Sequence, residues 1–342
     1  MTSTRNALIV ALLAGCAPID NTVDYLDNIE SFAQAPNNKV DILWVVDNSN
    51  SMEEEQAALA TGFVAFASQL EASGTDFQIG VITTSFDYDD DTRGRLLGDP
   101  RWITNADDYE SMFAERATSA GIGGADKEKG LEAGLYALSP AGLAGPGGYN
   151  EGFVRPEAQL LVIFVSDEND CSDGGALEGE AATACYTSQD KLTPVTSFVE
   201  DYRSLKPNED DVSASSIVGT TSSTCSEVVE GTRYLVFTGL MGGLNGDICQ
   251  ANWAGMLGDL GLNATGIRTR FQLEKAAQPD TIEVTVDEVA VPGSAADGWT
   301  YDVESWYLEF HGSSVPERGA QITVSYTVDP GRSEPVTTAA TE

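Results

Sequence analysis

The chain has 342 residues, 54 acidic and 18 basic, for a formal net charge of −36. That charge excludes an electrostatic role on nucleic acid, because phosphates would be repelled and no basic stripe exists to hold them. The length suffices for one domain of ordinary to large size with a smaller module, and most of the acids read as a strongly solvated surface.

Residues 1–16 read as a lipoprotein signal peptide. Arg5 supplies a minimal positive start, and Ala7 to Ala14 form an apolar stretch too short to span a bilayer. Leu13-Ala14-Gly15-Cys16 then resembles the bacterial lipobox. Processing there leaves Cys16 as a lipid-bearing first residue, and the resemblance to known lipoproteins implies, with Ala17 rather than Asp after it, sorting to the outer membrane or cell surface in a diderm host. Several acyl chains on Cys16 would anchor the chain firmly. The alternative is an ordinary cleaved signal with a coincidental cysteine. Residues 17–38 follow as a polar tether with a helical turn around Tyr25 to Phe32, reaching at most about 75 Å when extended.

Residues 39–278 alternate apolar runs with amphipathic stretches. Val40 to Val46 is a continuously apolar strand apart from Asp41, closed by Asp47-Asn48-Ser49-Asn50-Ser51. Glu53 to Leu70 carries Ala57, Leu59, Phe63, Phe66 and Leu70 on one helical face. Phe77 to Thr83 is the next strand, and the acidic run Asp87 to Asp91 after it reads as a solvated loop or a second cation site. Arg95 to Leu97 and Arg101 to Thr104 read as short edge strands, Tyr109 to Ala117 and Lys129 to Leu138 as helices. Gln159 to Ser166 is a second continuously apolar strand, closed by Asp167. Val195 to Leu205 reads as helix, Ala214 to Gly219 as strand, Tyr234 to Thr238 as extended, and Trp253 to Leu262 as helix ended by Gly261 and Asn263. This pattern predicts an α/β fold with an open, mostly parallel, doubly wound sheet. From 279 to 328, period-two runs broken by Pro292-Gly293, Asp297-Gly298 and Arg318-Gly319 predict a small antiparallel β module. Residues 329–342 read as a flexible tail.

The turn after Val46 places an acid and two hydroxyls at the carboxyl edge of a sheet, where open α/β sheets bind ligands. Hard oxygens suit Mg²⁺, Ca²⁺ or Mn²⁺, and no Cys or His nearby suits Zn²⁺. Ser51 and Glu54 also have the spacing of a capping box, a purely structural alternative. Asp167 ends the other apolar strand at the same edge, so Asp47 and Asp167 would repel unless a cation neutralised them.

Strand, D-x-S-x-S, helix and a later apolar strand ending in Asp resemble a von Willebrand factor A domain with its metal-ion-dependent adhesion site, from about Asn38 to Leu262. The resemblance implies that Asp47, Ser49, Ser51 and Asp167 hold Mg²⁺, directly or through water, and that a carboxylate of a protein or glycan partner completes the shell. It also implies a threonine from the loop before the third helix. The matching stretch, Gly123 to Leu131, has alanine there, and Asp126 or Thr118 are the candidate substitutes, with water filling the gap as the alternative.

Setting Cys16 aside leaves Cys171, Cys185, Cys225 and Cys249, an even number that suggests two disulfides in an exported chain. Three connectivities are possible, and sequential pairing is the simplest. An enzyme reading rests only on Asp167-Glu168-Asn169-Asp170, which could activate a metal-bound water. No nucleophile elbow, Walker loop or histidine base accompanies it, and His311, the single histidine, sits in the β module. The sequence therefore points to a non-enzymatic envelope lipoprotein that binds or adheres through a divalent cation, in a layout analogous to myxobacterial-type surface adhesins. A structural envelope protein with a degenerate metal site is the alternative, and a metal-dependent hydrolase comes after it.

Overall fold

The computed structural model describes residues 27–34, 38–86 and 92–332. The stretch read as a signal peptide with Cys16, most of the stretch read as a tether, the acidic run Asp87 to Asp91 and the residues beyond Arg332 lie outside the described residues. In chain order the first half comprises β1 (Asp27–Ala33), β2 (Lys39–Val46), α1 (Glu53–Ala72), β3 (Asp76–Thr83), β4 (Ile103–Thr104), α2 (Tyr109–Ser119), α3 (Gly130–Leu138), β5 (Gln159–Ser166) and α4 (Ala184–Thr187). The second half comprises α5 (Val195–Arg203), β6 (Val212–Val218), α6 (Thr232–Leu240), β7 (Asn245–Asp247), α7 (Trp253–Ala264) and β8 (Arg270–Gln272). After them come β9 (Glu283–Val286), β10 (Val289–Val291), β11 (Gly298–Tyr301), β12 (Tyr307–His311) and β13 (Gln321–Thr327).

β2 and β5 are buried at every position after the first, as continuous apolar runs require when both faces of a strand are covered. They pair in parallel, with Trp44 opposite Ile163 and Val46 opposite Val165. Alternation then divides their side chains between two cores. Val40, Ile42, Trp44 and Val46 pack toward α1, α2 and α7, whereas Leu43 and Val45 pack toward α3, α5 and α6. Trp44 meets Phe66 and Phe113 edge-on at centroid distances of 5.1 and 5.2 Å. Such pairs add about 0.5–1.5 kcal/mol each beyond the area they bury. The crossing of α1 and α7 needs glycine on both helices: a Cβ at Gly62 would stand 2.6 Å from Leu257, and one at Gly261 2.5 Å from the Phe66 carbonyl.

The expected architecture, one open and mostly parallel doubly wound sheet with a small appended module, is corrected by the strand pairings. The strands form three sheets, and six of the ten pairings among the described residues are antiparallel. The six-stranded sheet, in order β4-β3-β2-β5-β6-β7, is itself mixed, because β4 runs against β3. Long apolar runs dominate a reading by hydropathy, yet the short period-two strands are the more numerous.

The other sheets are β1-β13-β9-β10 and β11-β12-β8, closing over Phe271, Leu308, Phe310, Ile322, Val324 and Tyr326. β1 falls in the stretch read as tether with a helical turn, and it pairs with β13 along its whole length. Its hydropathy is inverted: Ile29 is 69% exposed while Glu30 is buried. The Glu30 carboxylate accepts from Asn28 Nδ2, the Glu274 amide and the Tyr326 hydroxyl, which explains how a charge can face the core. Two further expectations fail. Tyr234 to Thr238 lies inside α6 rather than a strand, its Tyr234, Phe237 and Thr238 buried at helical spacing, and Arg95 to Leu97 forms no strand.

The β layers are joined to the six-stranded sheet by polar side chains. Buried Gln34 donates to the carbonyls of Arg268 and Pro316 and accepts from the Arg268 amide. Arg318 donates to Thr75 Oγ1 and to the Thr265 carbonyl.

Candidate metal centre

Pairing of β2 with β5 runs one residue past the strand, because the Asp47 amide donates to the Val165 carbonyl at 2.9 Å. Asp47 is fully buried. Its Oδ1 accepts from the Ser49 amide at 2.7 Å and its Oδ2 from Ser166 Oγ at 2.5 Å. Ser49 Oγ and Ser51 Oγ lie 3.1 Å apart, and a hydrogen bond from Ser51 reaches Asp167. Asp47, Ser49, Ser51 and Asp167 are therefore brought to one place. The capping-box alternative does not hold: the N-cap of α1 is Met52, and no side chain caps it.

Loops from three other segments close around this turn. Gln56 Nε2 donates to the carbonyls of Asp47 and Gly121. The Gly124 amide donates to the Asn48 carbonyl, and a Cβ at Gly124 would come within 2.4 Å of the Asn48 side chain. Only glycine admits that approach. Ser85 Oγ donates to Asn48 Oδ1 and accepts from the Ala125 amide, so the end of β3 is tied in as well.

The stretch Gly123 to Leu131, read as lacking a ligand, contributes an acid that the sequence reading passed over. Glu128 is buried, and its Oε2 accepts from the Thr84 hydroxyl. Asp126 lies at the rim, where its charge acts on Glu168. Thr118, the other candidate substitute, is turned away: its exposed hydroxyl donates back to the Ala114 and Glu115 carbonyls of its own helix. Ser166 and Thr84 were also missed. Ser166 is the last residue of β5 and Thr84 directly follows β3 at the same edge, which was the available signal.

The electrostatics are those of acids without a counterion. Burial pushes the Asp47 carboxyl up to about 6, and the charge of Asp167 adds to this against the hydrogen bonds from Ser166 and Ser49. Glu168 is pushed up to about 7 by burial, then by Asp47, Asp167 and Asp126. Glu128 is raised well above the usual carboxylate range, by burial and then by Asp47. Burial also raises Asp167, with Glu227 acting in the same direction.

The donor set fits a hard cation. Asp167 Oδ1 and Glu128 Oε1 are buried with no hydrogen-bond partner, which is costly unless something positive meets them. Oxygen is the only donor element offered, as Mg²⁺ and Ca²⁺ require. Among the described residues no group of three or more His, Cys, Asp or Glu side chains is arranged to hold an ion by itself. Holding one here takes the serine hydroxyls together with the carboxylates.

Two disulfides frame the region, Cys171–Cys185 and Cys225–Cys249. Lys127 donates to the Leu177 carbonyl and Lys129 pairs with Asp173 at 2.7 Å, both inside the first loop. Arg233 pairs with Asp170 at 2.9 Å at its base. No helix among the described residues is long and apolar enough to cross a membrane.

No protein-family model matches the sequence, and comparison with curated proteins gives no match. Among solved structures, the chain is similar to the pilus adhesin SpaC of Lactobacillus rhamnosus GG, with 13% identity over 90% of this chain and 42% of that one, at a TM-score of 0.39. It is similar to proximal thread matrix protein 1 of the mussel byssus, with 13% identity, 72% and 52% coverage and a TM-score of 0.37. For the pilus adhesin RrgA of Streptococcus pneumoniae the values are 11%, 91%, 60% and 0.33. The chain spans less than half the length of the first adhesin, and at these scores the likeness carries no argument about the site.

Proposed function

We propose that this chain is an exported, non-enzymatic binding protein in which one divalent cation, Mg²⁺ or alternatively Ca²⁺ or Mn²⁺, bridges the protein to a carboxylate on a partner. Asp47, Ser49, Ser51 and Asp167 would hold the ion, with Glu128 and Glu168 beside it. The observation that carries this reading is the buried acid cluster itself, with Asp167 Oδ1 and Glu128 Oε1 unpartnered and, among the described residues, no basic side chain among the main influences on these acids. A bound ion supplies positive charge to those acids and a Lewis-acid contact for an incoming oxygen. The two disulfides suit an oxidising, extracytoplasmic setting. We place the chain in the bacterial envelope, held by lipid on Cys16.

Two measurements test this. Saturation with Mg²⁺ at about 100 times its dissociation constant stabilises the parent by about 2.7 kcal/mol and stabilises Asp47→Ala not at all. Ser49→Ala and Asp47→Ala, both still folded, no longer retain the partners that the parent captures from envelope extracts with Mg²⁺ and releases with EDTA. Equal capture by both variants would sink the adhesion mechanism. Cys16→Ser moves the protein from the membrane fraction to the soluble fraction.

One observation favours a second reading, a scaffold whose site is neutralised by protons. Glu128 is raised well above the carboxylate range, by burial and then by the charge of Asp47. In that case Mg²⁺ leaves stability unchanged and binding ignores EDTA.

A further inference from the structure

At the β4 margin of the six-stranded sheet, two exposed arginines share one aromatic ring. Arg95 and Arg101 both stack on the exposed side chain of Tyr149, their guanidinium carbons 5.1 and 4.9 Å from its ring centroid. Arg101 Nη1 also donates to the Tyr149 carbonyl. The chain has 54 acids for 18 bases, yet among the described residues neither arginine enters an ion pair. Asp99 and Glu151, close to them in sequence, pair with neither, and Glu151 Oε2 accepts from the Gly147 amide instead. Two guanidinium groups held against one ring repel each other, and an anion relieves that repulsion.

Buried side chains next to each member fix the group in place. Asn150, which follows Tyr149, is fully buried. Its Nδ2 donates to the Gly94 and Ala137 carbonyls and its Oδ1 accepts from the Leu96 amide, so it grips the chain on both sides of Arg95. Buried Arg116 does the same for Arg101, donating to the carbonyls of Pro100 and of Arg101 itself. Ile103, two residues further on, is buried where β4 pairs with β3. The exposed charges therefore stand on a rigid base, as recognition of a fixed ligand geometry requires.

A guanidinium fork matches the oxygens of phosphate and carboxylate alike, so total charge must separate the two. A polyanion or an acidic protein segment is repelled along its length by the field of a chain of net charge −36. One phosphate brings about two negative charges to two local cations. We infer that Arg95, Tyr149 and Arg101 form an oxyanion site for a phosphate group, free or carried on a small, otherwise uncharged ligand. The site shares no residue with the metal centre and stands whether or not an ion binds there.

Calorimetric titration of the full chain, in EDTA and low salt, tests this with inorganic phosphate, glycerol 3-phosphate and glucose 6-phosphate as probes and with glycerol and glucose as uncharged controls. The phosphates bind and the controls do not. The tightest of the three identifies the source as free phosphate, a lipid-type headgroup or a phosphorylated sugar. Arg95→Gln and Arg101→Gln, at exposed positions and still folded, each weaken binding about tenfold, as loss of a charge-assisted hydrogen bond predicts. Tyr149→Ala, which releases both side chains from the ring, weakens it too, and Tyr149→Phe does not. If no phosphate binds the parent, the two charges are satisfied within the chain and the site is overturned. Parent-like binding by the two Gln variants and Tyr149→Ala overturns it equally. So does an aspartate-rich peptide that binds where phosphate does not, which would assign the surface to a protein partner.

Discussion

Strand β2 carries a buried carboxylate at each end, and the two are treated in opposite ways. At the amino end, Asp41 meets the Arg155 side chain at 2.7 Å and the Arg155 amide at 2.6 Å, with Lys206 Nζ 3.9 Å away. At the carboxyl end, Asp47 meets hydroxyls, an amide and the charge of Asp167. Burial pushes both carboxyls up to about 6, but at Asp41 Arg155 and Lys206 pull the value down, while at Asp47 another acid pushes it further up. One end is compensated by the protein's own cations. The other is left for something from outside, and that difference separates a structural ion pair from a binding site.

Substitution at the two ends should break the symmetry most visibly. Asp41→Ala leaves Arg155 and Lys206, with side chains 14% and 1% exposed, without their shared acid. Removing one partner of a buried pair costs about 3–5 kcal/mol. Chemical denaturation should show that loss in Asp41→Ala, whereas metal-free Asp47→Asn keeps or exceeds the parent's midpoint because a repelling charge is gone. Equal losses at the two ends would mean that Asp47 is compensated in a way this geometry does not contain.

Dependence on pH sharpens the same contrast. The folded-state values of Asp47, about 6, and Glu168, about 7, lie above their ordinary 3.8 and 4.5. The native state therefore holds protons that the unfolded chain has released. The contribution of these two groups to metal-free stability is fully present below about pH 4 and is lost as pH rises through 6 to 7. Subtracting the curve of Asp47→Asn from that of the parent cancels the groups that do not feel Asp47, and a total loss on the order of 3 kcal/mol between about pH 4 and pH 7 should remain from Asp47 and its effect on Glu168 and Glu128. Saturating Mg²⁺ should flatten it, since the ion replaces the protons. A slope of opposite sign would refute the uncompensated cluster.

Legibility followed the same division. The apolar runs of β2 and β5 could be read directly, and with them the meeting of Asp47 and Asp167, because the end of a buried strand fixes where the next residue stands. The chain's antiparallel character was hidden in short strands, most of all β1, where Ile29 faces solvent and Glu30 faces the core. No hydropathy rule recovers a strand whose buried residue is a carboxylate bonded to Asn28, Tyr326 and Glu274. α6 was lost because Tyr234, Val236 and Phe237 favour strands in isolation, and tertiary packing decides otherwise. Within the site, Glu128 was out of reach for a related reason. Its approach to Asp47 depends on the Gly124 contact with Asn48 and on the Thr84 hydroxyl, both distant along the chain.

The smallest predicted effect separates a residue nominated by proximity in sequence from one placed by the fold. Thr118 was a candidate for the missing hydroxyl, but it is exposed and bonds to Ala114 and Glu115 on its own helix. Thr118→Ala therefore exchanges one solvated helical residue for a better helix former. Stability should move by no more than about 0.5 kcal/mol. Mn²⁺ affinity should be the same as the parent's within error. Thr84 is the contrasting threonine, buried and donating to Glu128, so Thr84→Ala removes the donor that holds that carboxyl and should weaken Mn²⁺ binding measurably. If the two variants exchange behaviours, the loop before α3 sits differently around the ion, and Glu128 loses its place beside Asp47.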